Sequence, residues 1–228
     1  MGGEAWSAVG GALAAGEARS YLDRLFVAGG PIVWFALLPL SVAAVSLIVQ
    51  YLLAVRRSRF VPAGVVERLR RAGQAGGAGN MRRAAEGAGD VLSQCVRAGL
   101  GQPAGGRAAV EAAFLEALEQ QESRWLRRIE RLNIIGNVAP MIGLLGTVWG
   151  MIEAFDRIVR AGGQPTPEQL AGAISVALVT TLWGLSIAIP ALATYGVLRN
   201  RLEELTTAAA GAGEDLVGRV TTDKGGGV

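Results

Sequence analysis

Three threonines are the residues best suited to chemistry in this chain, because their hydroxyls lie in stretches that carry no charged side chain. They are Thr147, Thr180 and Thr181. A hydroxyl both donates and accepts a hydrogen bond, so such groups can line a path along which a proton moves. The alternative is structural: each hydroxyl donates to a carbonyl of its own helix and only permits close packing. The residues alone leave both interpretations open.

The composition excludes several other kinds of site. The 228 residues include no histidine and one cysteine, Cys95, which rules out histidine-based metal sites, Ser-His and Cys-His pairs, and a disulfide within the chain. No phosphate-binding loop and no alternation of basic and aromatic residues is present. We therefore expect no enzyme, no metal, no cofactor and no nucleic-acid partner.

The elements that must position the threonines are three stretches without Asp, Glu, Lys, Arg or His. They cover residues 31–55, 132–152 and 169–198, at 25, 21 and 30 residues. A helix needs about 20 residues to cross the hydrocarbon core of a bilayer. A charged group at the bilayer centre costs about 2.5–3.5 kcal/mol on insertion scales, and these stretches supply none. Any titratable group acting there must come from another polypeptide.

Charge asymmetry predicts the topology. Residues 56–131 contain 14 arginines and 8 acidic residues, and by the positive-inside rule they lie in the cytoplasm, with the N-terminus outside and the C-terminus inside. The fold prediction is an all-α integral membrane protein with long cytoplasmic helical extensions. Its predicted parts are an external segment (1–30) with an interfacial helix near 17–27, TM1 (31–55), a cytoplasmic helical region (56–131), TM2 (132–159), a short periplasmic turn (160–166), TM3 (167–198) and a cytoplasmic tail (199–228).

One helix of about 50 residues is predicted from Arg107 onwards, because residues recur on one face at steps of three and four. The face is bulky before the membrane, with Leu115, Leu118, Trp125, Ile129 and Leu132. Inside the membrane its residues are small, as helix association in lipid requires. With two residues of the third stretch, the predicted packing residues are Gly136, Ala139, Gly143, Gly146, Gly150, Ala177 and Gly184.

Local signals predict three further features. Thr166 followed by Pro167 predicts the start of the third span. Residues 72–80, which are rich in Gly and Ala, predict a loop. Asn80 is then expected to cap a second helix over residues 81–99.

Two runs carry a resemblance to a known family. They are APMIGLLGTVWGMI at residues 139–152 and AISVALVTTLWGLSIAIPA at residues 173–191. Together they closely resemble the ExbB/TolQ family, within the MotA/TolQ/ExbB superfamily of proton channels. One departure is Val176, which stands where ExbB/TolQ proteins often carry a glutamate five residues before the threonine that Thr181 matches.

The resemblance implies a proton-conducting stator subunit of the bacterial inner membrane. Such subunits form rings, usually pentamers, around the single-span helices of an ExbD/TolR-like partner with an aspartate in its span. Proton motive force then moves that partner, and the work passes to a TonB- or TolA-like protein. The alternative is a non-conducting scaffold, in the lipid bilayer, for an envelope or secretion complex.

The resemblance favours Thr147 and Thr181 as groups on the proton path and leaves Thr180 undecided. At the outer end of the second span, Glu153 and Asp156 either attract protons to the mouth of that path or are solvated residues at a helix end.

Overall fold

The computed structural model describes residues 30–101, 106–160, 162–163 and 166–222, and this part of the chain contains helices and no strand. The all-α prediction is therefore confirmed. In chain order the helices are α1 (Gly30–Ile32), a π-helical turn (Val33–Leu37), α2 (Leu38–Ala54), α3 (Arg57–Phe60), α4 (Ala63–Ala85), α5 (Val91–Gly99), α6 (Arg107–Arg160) and α7 (Pro167–Thr222). The predicted interfacial helix near 17–27 lies outside the described residues.

The first span contains a π-helical turn just before a proline. The Leu38 N–H donates to the carbonyl of Val33, five residues earlier, instead of to the residue four earlier. Pro39 has no N–H with which to continue the regular ladder. A local π-turn next to such a residue lets the helix continue without a break.

Within the part of the chain that the structure describes, three helices are long and apolar enough to cross a membrane. The candidate spans lie in Val33–Ala54, Arg107–Arg160 and Ile174–Gly218, so this is a multi-pass membrane protein. The single helix predicted from Arg107 is confirmed as α6, with 54 residues. Helix α7 begins at Pro167, where the sequence predicted a helix start.

The loop predicted for residues 72–80 is wrong. Helix α4 runs from Ala63 to Ala85, and only Gly76 and Gly77 leave helical geometry inside it. Gly77 has φ +63, a backbone conformation that glycine adopts without strain. Two glycines therefore kink the helix where the composition predicted a longer loop.

The helix predicted over residues 81–99 is also wrong, because α4 stops at Ala85 and a new helix, α5, begins at Val91. Its cap is Asp90, whose carboxylate accepts a hydrogen bond from the Ser93 N–H at 2.8 Å. A carboxylate at this position satisfies an N–H that has no partner in the first turn of a helix. Asp90, and not Asn80, caps the helix.

The predicted apolar face of α6 is right except at Leu115, which is 40% exposed. Phe114 is buried in its place, against the backbone of Gly213 on α7. The five small residues that continue this face inside the membrane are all buried.

The chain divides into two compact units. Within the first (residues 1–47 and 132–193), the core joins span one to the two long helices through Val33, Leu37, Ala44, Ala139, Ile187 and Ala188. Within the second (residues 48–131 and 194–228), the largest buried side chains include Phe60, Leu69, Met81, Leu92, Phe114, Ile129, Leu202 and Leu216. The second unit also contains a hydrogen bond from the Tyr195 hydroxyl to the Glu130 carboxylate, at 3.1 Å.

Candidate functional site

The candidate site is the contact between the small-residue face of α6 and the matching face of α7. A Cβ added to Gly184 would lie 2.7 Å from the carbonyl oxygen of Ala139, and one added to Gly143 would lie 3.0 Å from the carbonyl oxygen of Thr180. The distance at Gly184 leaves no room for a side chain, and the distance at Gly143 is tighter than most Cβ contacts. The two backbones therefore touch, as expected where helices associate in lipid through van der Waals contact.

The same face continues at both ends of this contact. A Cβ on Gly136 would collide with the side chain of Leu192, and a Cβ on Gly146 would lie 2.5 Å from the hydroxyl oxygen of Thr180. Gly150 is also buried on α6, and Ala177 is buried on α7. The structure thus buries every residue that the sequence predicted for helix packing.

Two of the three threonine hydroxyls converge on one carbonyl oxygen. Thr180 Oγ1 and Thr181 Oγ1 each lie 3.3 Å from the carbonyl oxygen of Gly143 on the facing helix. Thr180 Oγ1 also lies 2.7 Å from the carbonyl oxygen of Ala177 on its own helix. A hydroxyl has a single hydrogen to donate, and the shorter contact is the stronger one. Thr181 is therefore the better donor to Gly143.

The third hydroxyl, that of Thr147, bonds within its own helix. Its Oγ1 donates to the carbonyl oxygen of Leu144 at 2.6 Å. Thr147 is one turn from Gly143 and is half-buried, as Thr181 is, whereas Thr180 is fully buried. Thr147 and Thr181 thus keep part of their surface free of this chain, and Thr180 does not.

The two acidic residues at the far end of α6 each pair with an arginine one turn later. Glu153 lies 2.6 Å from Arg157, and Asp156 lies 2.7 Å from Arg160. All four side chains are exposed, and exposed pairs of this kind contribute little to stability. The acidic residues are therefore accessible to protons and ions while their charge is balanced locally.

Sequence reasoning missed two polar features of α6. The first is the carbonyl of Gly143, which no side-chain pattern reveals, because a glycine leaves its backbone open to a facing helix. The second is a hydrogen bond from the Asn137 amide to Asn133 Oδ1 at 2.9 Å. The spacing of two asparagines by four residues in a stretch without charge could have predicted this pair.

Comparison with known proteins shows which family contains this helix pair. The family model described as the MotA/TolQ/ExbB proton channel family matches residues 87–210, which is more than half of the chain. The chain belongs to the MotA/TolQ/ExbB proton channel family. The matched region contains all three threonines and the whole small-residue face.

Individual members of this family align over shorter segments. The biopolymer transport protein exbB1 of Vibrio cholerae is 42% identical over 76 residues, which are 33% of this chain and 33% of that protein. The biopolymer transport protein ExbB of Neisseria gonorrhoeae is 41% identical over 90 residues, or 40% of each chain. The putative biopolymer transport protein ExbB-like 1 of Synechocystis sp. is 36% identical over 105 residues, or 45% of this chain and 41% of that protein. The alignments thus span between a third and about two fifths of the length of these proteins.

Proposed function

We propose that this chain is the proton-conducting stator subunit of an inner-membrane motor of the ExbB-ExbD or TolQ-TolR type. The observation that carries the proposal is the α6–α7 contact inside a family of proton channels. This contact brings two hydroxyls to one backbone carbonyl. The three stretches 31–55, 132–152 and 169–198 contain no charged side chain that could carry the proton.

The neutrality of this contact explains why a partner is needed. A hydroxyl whose pKa is far from neutral does not hold a proton in transit by itself, so the titrating group is a carboxylate on another helix. That helix is the single span of an ExbD/TolR-like partner with a membrane aspartate. Polar contacts without a fixed opposite charge bind the carboxylate weakly in both protonation states, which lets it move on.

Two hydroxyls meet this carboxylate in the proposal, those of Thr147 and Thr181. Both are half-buried in the single chain, so part of each remains for contact with a neighbouring polypeptide. Thr180 has a structural role instead, because its hydroxyl is buried and fills the space beside Gly146. Glu153 and Asp156 collect protons at the outer mouth.

The assembly that follows from the proposal is a ring of copies of this chain, with pentamers as the expected size. Proton flow moves the enclosed partner, and that motion passes to a TonB- or TolA-like protein that energises transport or envelope processes. The names of the relatives, biopolymer transport proteins, support this direction.

Proton flux into liposomes tests the proposal. The purified chain is reconstituted with and without a single-span partner that carries a membrane aspartate, and uptake is followed with a pH-sensitive dye under an imposed gradient. We expect flux only when both are present. Rapid flux through this chain alone would contradict the proposed role of the partner carboxylate.

The threonines are tested in the same assay. Because Val has the shape of Thr without its hydroxyl, Thr147→Val with Thr181→Val is expected to reduce coupled flux at least tenfold, and the matching Ser variants retain it. Thr207→Val is the control, because the Thr207 hydroxyl also donates within its own helix, to the Glu203 carbonyl at 2.9 Å, and lies outside the predicted TM3 (167–198). Undiminished coupled flux in the double Val variant would contradict the role of the two hydroxyls. Absence of flux in the parent chain with its partner would favour the scaffold alternative.

A further inference from the structure

The second unit contains a cavity of about 500 Å³ whose lining is basic. Three arginines line it: Arg59 of α3 and Arg124 and Arg128 of α6. The lining also includes the amides of Gln94 and Gln121, and no carboxylate. Positively charged side chains from two segments that are distant in sequence therefore line the same cavity.

Contacts below the arginines give the cavity a defined wall. The guanidinium of Arg128 lies over the ring of Trp125, at 4.9 Å from its centroid, and the Trp125 ring packs against Phe60 at 5.8 Å. The Gln121 amide donates to Gln94 Oε1 at 2.8 Å. These contacts fix α3, α5 and α6 around the cavity, while the three arginines that line it are themselves exposed.

No described residue that lines the cavity carries a balancing negative charge. Among the described residues, the ion pairs involve six other arginines and none of these three. Of the acids next to lining residues in sequence, Glu122 follows Gln121 and does not line the cavity, and Asp90 lies between Gly89 and Val91. Asp90 is buried, and its carboxylate caps α5 through Ser93. Three guanidinium groups facing one cavity repel one another, and a bound anion relieves that repulsion.

The cavity lies beside the ends of two predicted spans. Arg59 follows the end of α2 at Ala54 by five residues, and Arg128 precedes the uncharged stretch that begins at Leu132 by four residues. Four residues of helix span about 6 Å. The headgroup layer on each side of a bilayer is about 5–8 Å thick. By this rise, the predicted start of the second span at Leu132 puts Arg128 within the headgroup layer, where lipid phosphates lie.

We propose that this cavity binds the phosphate of an anionic membrane phospholipid. Guanidinium groups bind phosphate oxygens through paired hydrogen bonds, and basic pockets beside membrane helices on the cytoplasmic side bind anionic headgroups. The binding site goes beyond the proposed function and is independent of proton conduction, because no residue of the α6–α7 contact lines it.

The test measures binding of short-chain phosphatidylglycerol to the full-length chain in neutral detergent by calorimetry. Phosphatidylcholine, which carries no net charge, and inorganic phosphate are the comparison ligands. The test variant is Arg124→Gln with Arg128→Gln. Its matched control is Arg127→Gln with Arg131→Gln, because these arginines are exposed, have the same spacing on the same helix and do not line the cavity.

We expect phosphatidylglycerol to bind at least tenfold more tightly than phosphatidylcholine. The test variant should weaken this binding at least tenfold, and the control should change it less than twofold. If the test variant fails to fold, Arg59→Gln replaces it, with Arg57→Gln as its control.

Three results would overturn the proposal. The first is an equal loss in test and control variants, which indicates diffuse attraction of lipid to a basic surface. The second is no loss in the test variant. The third is binding of inorganic phosphate as tight as that of phosphatidylglycerol, because the cavity would then bind soluble phosphate.

Discussion

At the scale of single residues, the threonine hydroxyls differ in how many hydrogen-bond acceptors they already have within the chain. Thr180 is buried and has two carbonyl acceptors within 3.3 Å, so it contributes to the packing of α6 against α7. Among the described residues, the Thr181 hydroxyl has one carbonyl acceptor, that of Gly143 on the facing helix, at 3.3 Å. A long hydrogen bond is weak and easily exchanged. Of the two adjacent threonines, Thr181 is therefore the one that can change partners when a carboxylate approaches.

Cys95 should be inert in the folded protein. Burial, with a smaller contribution from the negative charge of Asp90, raises the pKa of the Cys95 thiol to about 12 from 9.0. Thiols react as thiolates, so we expect alkylation by a maleimide at pH 8 to be roughly a thousandfold slower in the native chain than in denaturant. Equal rates in the two states would contradict this prediction.

The same pKa shift predicts a pH dependence of stability. Because the folded pKa is raised above the unfolded value, the Cys95 contribution is fully present below pH 9 and is lost as the pH rises towards 12. Denaturant unfolding at pH 8 and pH 10 measures it. Cys95→Ala should lose less stability over this interval than the parent chain, and an equal loss in both would show that other groups dominate.

At the scale of elements, the two long helices depend on the absence of side chains at their contact. Gly184 lies against the Ala139 carbonyl, which belongs to the backbone and cannot rotate away as a side chain can. A methyl group there must separate α6 from α7. That separation would also lengthen the contact between Thr181 and Gly143, so packing and the proposed proton path are linked through one glycine.

Gly184→Ala should therefore destabilise the helix pair by about 1–3 kcal/mol, the usual cost of overpacking. Gly196→Ala, on the same helix, is the matched control: a Cβ there meets nothing within 4 Å, so we expect its stability to be unchanged or slightly higher. Unfolding by denaturing detergent in mixed micelles measures both. Similar midpoints for the two variants would mean that the helices adjust without cost.

At the scale of the whole molecule, the described spans present large apolar side chains to their surroundings. Phe35, Met141, Trp149 and Leu178 are each more than 60% exposed, as expected of surfaces that face lipid or neighbouring subunits. The predicted orientation of the spans rests on the arginine excess of residues 56–131, which the positive-inside rule assigns to the cytoplasm.

Cysteine labelling in intact cells tests that orientation. Two variants are made in a Cys95→Ala background: Arg160→Cys, at the predicted outer end of α6, and Asn200→Cys, after the third span. Both positions are exposed. A membrane-impermeant maleimide should label the first variant from outside and the second only after the cells are opened. The reverse pattern would invert the predicted topology.

The sequence by itself determined the fold class, the three spans, the long helix α6 and the family resemblance. Each of these depends on composition or spacing within a single continuous segment, and both can be read from the sequence. It was misleading in residues 72–80, where many glycines predicted a loop but only Gly76 and Gly77 leave the helical conformation. The number of glycines is a property of the whole segment and does not tell which of them leave the helix.

Only the tertiary structure decided which groups meet. The Gly143 carbonyl and the Thr181 hydroxyl are 38 residues apart in sequence. Arg59 is likewise distant in sequence from Arg124 and Arg128, although all three line one cavity. The distances between such groups depend on how the helices pack, so no local pattern encodes them. The burial of Phe114 in place of Leu115 has the same origin, because both positions suit the helical period and the facing Gly213 accommodates the ring of Phe114.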